Sequence, residues 1–321
     1  MNDRRRINGP VGKTTPPVFK STLASAEQLQ DQRPARARKP DELRKIFLRT
    51  GVTPSASGSA YYELTSPLSP TKDAATSSSF LPPRSCLKIA CTVHGPHPLP
   101  RSAPYNSSLV LTTTLKFAPF ATRHRRGYVR DATERDLSAH LETALKGVII
   151  GERWPKSGVD IIVTVLEGEE DRWWGDEVAG GTAEVGGWGT MPVLAGAITA
   201  ASVALADAGI DCVDLVSGGV AAVVGSKLDE RVIVLDPSPA EHENTIAACV
   251  VGYLSERDEV TELWVKGDAG DQIEALMEKA VDAAAASRTV LVDAVVGAGH
   301  SKFPSSITGK GTHDSDEDMA G

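Results

Sequence analysis

The sequence predicts an α+β domain in which mixed β-sheets pack against helices. The predicted elements run in the order strands, helix, strand, helix, strands, helix, without an uninterrupted βαβ alternation. No internal repeat recurs at the period of a solenoid. The apolar fraction of 41% and the charged fraction of 24% are typical of a soluble globular protein.

The first half of the chain predicts four strands and one helix. Runs of β-branched and apolar residues predict strands at residues 43–50, 58–64, 86–93 and 109–117. Pro96 and Pro98 are expected to break the third strand. Thr133 is expected to cap a helix that runs to about Ile150, because acidic residues occupy its first turn and leucines recur along one face.

The second half begins with an almost wholly apolar run, Val159 to Leu166, which predicts a central strand covered on both faces. The small residues from Val193 to Ala208 predict a helix that packs closely against a sheet and ends before Gly209. Further strands are expected at residues 220–224, 232–235, 245–254 and 260–265. A long helix is expected from Asp271.

Composition shifts along the chain predict its domain organisation. Residues 1–49 hold twelve Lys and Arg against five Asp and Glu, a local charge of +7. The predicted organisation is a disordered basic arm at 1–40, a folded domain at 41–296 with inserted loops at about 65–83 and 167–192, and a disordered acidic tail at 297–321.

The overall charge and the cysteines limit the classes of function. A net charge of −8 disfavours a protein that holds nucleic acid by bulk charge alone, so any RNA contact should be local. Four cysteines without a CxxC pair, and no apolar signal segment, predict a reducing, intracellular location. We find no run of about 20 apolar residues, and we expect a soluble protein.

Two motifs imitate ligand sites. Cys91, His94 and His97 have metal-ligand spacing, but a structural zinc site needs four ligands and no fourth is evident nearby. The sequence therefore predicts no metal site, and we interpret this segment as a strand end with a turn. The run Gly219 to Lys227 resembles a phosphate-binding loop, yet Ser precedes Lys instead of following it, and a strand ending in a turn is favoured.

The arginine cluster, defined here as Arg123, Arg125, Arg126 and Arg130, is interrupted by Tyr128. Basic residues interleaved with an aromatic ring suit contact with RNA phosphates and stacking on a base. The alternative is a solvated loop that precedes the helix.

Several segments in order carry a family resemblance. They are Gly58–Ala60, Cys91–Pro96, Phe117–Thr122, Glu134–Leu145, Asp160–Leu166, Ile198–Ile210 and Leu235–Pro237 with Glu241 and Glu243. Over about residues 41–296 they resemble the RNase PH family, which implies an RNase PH-like fold of the ribosomal protein S5 domain 2-like type. The segment Asp3–Pro10 resembles fungal exosome subunits of the mRNA-transport-regulator type.

Active members of this family are phosphorolytic exoribonucleases that hold the attacking phosphate with two arginines and use two aspartates for a metal ion or a proton. The resemblance places Thr133 and Leu194 at the arginine positions, and His242 and Ala248 at the aspartate positions. These four family positions lack the cations and carboxylates that the chemistry needs. Glu241 and Glu243 flank His242, but carboxylates without a cationic clamp do not restore phosphorolysis. The resemblance thus implies no catalytic residues and no cofactor.

The resemblance implies a non-catalytic subunit of the RNA exosome ring, which threads RNA to a separate nuclease during rRNA processing and mRNA turnover. Its expected partners are other RNase PH-like ring subunits, oligonucleotide-binding cap subunits and RNA, with no membrane. Its expected location is the nucleus, including the nucleolus, and the cytoplasm.

Two alternatives remain open. One is an active phosphorolytic 3′–5′ exoribonuclease acting on transfer-RNA ends, which the four family positions disfavour. The other is a free RNA-binding module, which the net charge of −8 disfavours.

Overall fold

A computed structural model describes residues 35–65, 86–123, 125–171, 173, 187–225, 231–242 and 244–302. Most of the two predicted insertions lies outside the described residues. The same holds for residues 1–34 of the predicted arm and for the tail from residue 303 onwards.

Within these described residues nine strands form two sheets, and the predicted α+β class with mixed sheets is confirmed. The first sheet, in the order β1-β2-β3-β5-β4, contains β1 (Ile46–Thr50), β2 (Gly58–Leu64), β3 (Leu87–Pro98), β5 (Ser157–Glu167) and β4 (Val110–Phe117). Its neighbours are antiparallel except β4 and β5, which run parallel. The second sheet is antiparallel, in the order β7 (Arg231–Leu235), β6 (Ser217–Gly225), β8 (Thr245–Leu254) and β9 (Glu259–Gly267).

Helix α2 (Thr190–Asp207) lies between the two sheets and is buried along almost its whole length. The approach is close: an added Cβ on Gly58 would lie 2.3 Å from the carbonyl oxygen of Ala204, and one on Gly218 would lie 2.1 Å from that of Ala195. Only glycine permits these contacts. By length and composition, α2 is the one described helix that could cross a membrane, but here it is the central core helix.

Two other helices complete the layers. Helix α1 (Ala132–Lys146) lies beside α2 and contacts β4 and β9. Helix α3 (Ile273–Lys302) covers the opposite face of the second sheet. From one side to the other the layers are the first sheet, α2 with α1, the second sheet, and α3.

Strand β5 differs from its prediction because only one of its faces is covered. Val159, Ile161, Val163 and Val165 are buried against the middle layer, whereas Ile162 points to the other face and is 39% exposed. Within the described residues no helix packs on that outer face of the first sheet. The prediction that this strand is covered on both faces was therefore wrong.

Helix α1 begins earlier than predicted. The residue that caps it is Asp131, not Thr133, and its side chain accepts a hydrogen bond from the N–H of Glu134 at 2.9 Å. Glu134 in return accepts one from the N–H of Asp131 at 3.2 Å, which forms a capping box. The helix ends at Lys146, before the expected Ile150, because Gly147 follows it.

Three other predicted boundaries were wrong. Strand β3 does not break at Pro96 but continues to Pro98, with its register shifted between His94 and His97. Helix α3 continues to Lys302, into the segment predicted as a tail, and the Lys302 Nζ lies 2.6 Å from the Asp207 carboxylate. At the other end, the last six residues of the predicted arm, 35–40, are held against the second sheet by Arg36 and Arg38.

Candidate functional site

The four family positions do not form a charged pocket. Thr133 is exposed in the first turn of α1, and Leu194 is fully buried in α2. Ala248 is buried in β8, and His242 is half-buried between β7 and β8. A buried leucine and a buried alanine offer no group that can bind a phosphate or a metal ion.

A lysine lies beside the Ala248 position. Lys266 of β9 is directly opposite Ala248 in the register, so both side chains are on the same face of the sheet. Its Nζ is 5.5 Å from the ring centroid of Trp188, just ahead of α2. Two residues along β9, Trp264 stacks on His140 with ring centroids 4.8 Å apart. Where the family resemblance implies a metal-binding carboxylate, this chain thus has a cation and aromatic rings.

The possible metal ligands around Cys91 and around His242 lie in different surroundings. Cys91 is buried in the core, whereas His94 and His97 lie outside it near the end of β3. Glu241 is occupied by Arg38 at 2.8 Å, and Glu243 lies outside the described residues. Across the described part of the chain, no group of three His, Cys, Asp or Glu has the geometry to hold a metal ion.

A buried charge cluster lies where the segment before β1 meets the end of β7. We define it as Arg36, Arg38, Arg44, Glu169, Asp236 and Glu241. At its centre Arg44 donates from Nε to Asp236 at 2.7 Å and from Nη2 at 2.6 Å, and Arg44 Nη1 contacts Glu169. Three cations face three carboxylates, so the cluster has no surplus positive charge to offer an anion.

The pKa values in the charge cluster follow from burial and pairing. Burial alone would raise the pKa of Asp236, but the charge and hydrogen bonds of Arg44 outweigh burial and hold that pKa well below its usual range. Burial would lower the pKa of Arg44, yet its two acidic partners hold it well above the ordinary value. For Glu169 burial dominates and raises the pKa, although Arg44 opposes the shift. The Arg44–Asp236 pair is therefore the ionised centre of the cluster.

The charge cluster was not predicted from the sequence, because Arg36 and Arg38 fall in the segment predicted to be a disordered arm. One signal was available: Arg44 interrupts an otherwise strand-like segment, and Asp236 directly follows another strand. The backbone of Asp236 has a φ of +48°, which a side chain other than glycine rarely adopts. The bonds from Arg44 and Arg38 to its carboxylate hold it in that conformation.

The arginine cluster divides into different environments. Arg126 lies 3.9 Å from the centre of the buried Phe117 ring and 3.6 Å from the carboxylate of Asp131. Arg130 donates to Ser138 Oγ at 2.7 Å, and the backbone N–H of Arg123 donates to Glu170. The side chain of Arg125 is exposed. Two of the four guanidinium groups, those of Arg126 and Arg130, thus stabilise the start of α1.

Aromatic side chains extend from the same loop. Phe120 is 75% exposed and Tyr128 is 83% exposed, and both are close in sequence to Arg125. The loop from Ala118 to Arg130 contains no Asp or Glu. It therefore presents positive charge and aromatic rings on a chain whose net charge is −8.

Comparisons with known proteins identify the family. Residues 42–211 match the RNase PH family, described as the 3′ exoribonuclease family, domain 1. The chain is 51% identical to Exosome complex component MTR3 of Chaetomium thermophilum, over 91% of this chain and 98% of that protein. It is 30% identical to Exosome complex component mtr3 of Schizosaccharomyces pombe, over 92% of this chain and 96% of that protein.

A solved structure supports the fold. The crystal structure of rice Rrp46 superposes on this chain with a TM-score of 0.57 and a sequence identity of 15%. The superposition covers 81% of this chain and 98% of the Rrp46 chain. The predicted RNase PH-like fold is thereby confirmed. The resemblance that the sequence motifs carry is confirmed as well: the chain belongs to the RNase PH family and, within it, to the group of exosome complex components named MTR3.

Proposed function

We propose that this chain is a non-catalytic structural subunit of an RNA exosome ring. The observation that carries the proposal is the state of the four family positions in a chain of the MTR3 group. Leu194 and Ala248 are part of the packed core, and Thr133 has no charge with which to hold phosphate. A phosphorolytic reaction needs a cationic clamp on the attacking phosphate, and these positions offer none.

The proposed partners are other RNase PH-like ring subunits, oligonucleotide-binding cap subunits and RNA. The support is that relatives named as exosome components match nearly the whole chain, at 98% and 96% of their own lengths. In this proposal the ring supports 3′–5′ RNA processing and degradation by threading RNA to a separate nuclease. The proposed location is the nucleus, the nucleolus and the cytoplasm, without a membrane.

Within that role, the arginine cluster is proposed to contact RNA as it passes. The support is the positive, acid-free loop with exposed Phe120 and Tyr128. Contacts to phosphate fix nucleic acid without reading its sequence, which suits a passage for many RNAs. Arg125 is best placed for this contact, because Arg126 and Arg130 are already bound within the domain.

Two measurements test the proposed function. The purified chain, alone and assembled, is incubated with single-stranded RNA, Mg²⁺ and inorganic phosphate, and an active phosphorolytic relative serves as the positive control. We expect no phosphate-dependent release of nucleoside diphosphates. Release that is lost in a His242→Ala variant would contradict the non-catalytic role. Native purification should recover other RNase PH-like chains in stoichiometric amounts, and a chain that purifies without them would contradict the ring role.

A further inference from the structure

A small cavity lies where the two sheets and α3 meet, beside the Arg44–Asp236 pair. Its walls come from both sheets, α2, α3 and the segment before β1. The cavity has a volume of about 20 Å³, whereas pockets for nucleotides and other organic ligands span roughly 300–1,000 Å³. A single water molecule needs only roughly 10–15 Å³. The space therefore fits one water molecule or one ion and nothing larger.

Small residues account for this cavity. Its lining includes Ala195 of α2, Gly218 and Gly219 of β6, and Ala283 of α3. The glycines let the layers approach closely, since an added Cβ on Gly219 would lie 2.2 Å from the carbonyl oxygen of Ala280. None of these residues has a side chain long enough to reach across to the opposite wall. A gap remains between the larger side chains around them.

The side chain of Tyr62 lines the cavity and is only 5% exposed. Within the part of the chain that the structure describes, no group hydrogen-bonds to its hydroxyl. Burial raises the pKa of Tyr62, and the charge of Asp236 raises it further, so the hydroxyl keeps its proton. Buried hydroxyl groups in native proteins nearly always have a partner, which is either another protein group or an ordered water molecule.

Two other polar side chains line the same cavity, those of Ser287 and Asp236. The hydroxyl of Ser287 donates to the carbonyl oxygen of Ala283 at 3.0 Å, so its own oxygen can still accept a hydrogen bond. The carboxylate of Asp236 is an acceptor, and the hydroxyl of Tyr62 can donate or accept. An internal water molecule needs two to four polar partners, and these three side chains supply enough.

We propose that this cavity binds one internal water molecule, which bridges the Tyr62 hydroxyl of the first sheet to Ser287 of α3 and to the Asp236 carboxylate beside the second sheet. The charges in the wall favour a neutral occupant over an ion. Arg44 and Asp236 have opposite signs and are paired at 2.6 Å, so the wall has no surplus charge for a cation or an anion. The site lies inside this chain and does not depend on the ring function.

The variant Tyr62→Phe tests the site by the sign of its effect on the full chain. If water bonds the hydroxyl, the variant should lower the melting temperature by about 3 °C, because the water loses a partner. If the hydroxyl is unpaired, the variant should raise the melting temperature, because it removes a buried polar group without a partner. A raised or unchanged melting temperature would overturn the proposal. The control is Tyr61→Phe in the same strand, whose half-buried hydroxyl donates to Glu63 at 2.9 Å, and it should change the melting temperature by no more than about 1 °C.

A double-variant cycle and a crystal structure identify the occupant. If one water joins Tyr62 to Ser287, the effects of Tyr62→Phe and Ser287→Ala on the unfolding equilibrium constant should differ from independence by at least about threefold. A crystal structure of the full chain that resolves ordered water should show an oxygen about 2.8 Å from the Tyr62 hydroxyl, and the same structure of Tyr62→Phe should show it displaced. Independent effects in the cycle, a dry cavity, or anomalous scattering from a metal ion at this position would each contradict the water site. None of these outcomes bears on the ring function.

Discussion

The carboxylate of Glu134 accepts a hydrogen bond from the backbone N–H of Phe117 at 2.8 Å, so the first turn of α1 closes the outer edge of β4. The same carboxylate accepts the N–H of Asp131, the residue that caps the helix. Both contacts are local to the loop that carries the arginine cluster. One buried acid thus fixes the start of a helix, the end of a strand and the base of the loop between them.

Replacing Glu134 by Ala should destabilise the domain by roughly 2–3 kcal/mol, because it leaves backbone N–H groups without partners where Glu134 is buried. Chemical denaturation of the full chain measures the loss. Glu142→Ala in the same helix is the control, since Glu142 makes only a surface pair with Lys146. Equal stability of the two variants would refute the role assigned to Glu134.

Replacing Arg44 by Ala should cost roughly 3–5 kcal/mol, because it leaves Asp236 and Glu169 buried without their main cation. Arg49→Ala, an exposed arginine in the neighbouring strand, should change the unfolding free energy by less than about 0.5 kcal/mol. Denaturant midpoints of the two variants make the comparison. An Arg44 variant as stable as the Arg49 variant would show that the charge cluster contributes nothing to folding.

The low pKa of Asp236 predicts how stability depends on pH. A carboxyl whose folded pKa is depressed stabilises the fold above its unfolded pKa of about 4, and that contribution is lost as pH falls through the folded value. Glu169 acts in the opposite sense, because burial raises its pKa. The difference between wild type and Asp236→Asn isolates Asp236: it should be largest near neutral pH and shrink below about pH 4. A difference that stays constant down to about pH 2 would contradict the depressed pKa.

Two of the four family positions should respond differently to the same substitution. Leu194→Arg places an unpaired cation in the middle of the core and should abolish folding or cost more than about 4 kcal/mol. Thr133→Arg adds a cation at an exposed position and should be tolerated. Circular dichroism and thermal melting distinguish these outcomes. A folded Leu194→Arg protein would contradict this expectation, because it would show that the packing around α2 can adapt to a charged side chain at this position.

Arg125 and Arg126 should separate RNA contact from folding. Arg125→Ala should leave the melting temperature unchanged and weaken RNA binding by the assembled ring, with a loss that shrinks as salt rises. Arg126→Ala should lower the melting temperature, since it removes the contacts with Phe117 and Asp131. Fluorescence anisotropy with a labelled single-stranded RNA measures the binding. If Arg125→Ala releases the chain from the ring instead, the arginine binds a neighbouring subunit and the RNA assignment is wrong.

The sequence was sufficient for the elements whose pattern is local. Strands β2 and β8 lie where alternation and β-branching placed them, at Gly58–Leu64 and Thr245–Leu254. The long apolar helix α2 was also recognised, because its small residues and the following Gly209 are local signals. The order of family motifs then identified the fold, since spacing along the chain is itself sequence information.

The features that the sequence did not reveal depend on contacts between distant residues. Arg44 and Asp236 are 192 residues apart, and no local pattern indicates that they meet. Arg36 and Arg38 lie in a segment with the composition of a disordered arm, and distant partners hold them in place: Arg36 donates to the carbonyl oxygen of Leu235, and Arg38 pairs with Asp236. The predicted start of α1 was wrong for a local reason. Both Asp131 and Thr133 can cap a helix, and the reciprocal hydrogen bonds with Glu134 favour Asp131.

The long sequence separation between Arg44 and Asp236 has a consequence for how the protein folds during its synthesis. A ribosome synthesises Arg44 early and Asp236 192 residues later, so the arginine stays in water until about three-quarters of the 321 residues have been made. β8 and β9, which complete the second sheet, and α3, which covers it, also come after Asp236 in the chain. Translation products that stop before Asp236 cannot bury this arginine against its partner, and they lack β8, β9 and α3, so the face of α2 that packs on the second sheet stays partly uncovered. Incomplete chains should therefore be unfolded and should be degraded by quality-control proteases. Stable folding of the first quarter of the chain thus requires synthesis of the last quarter.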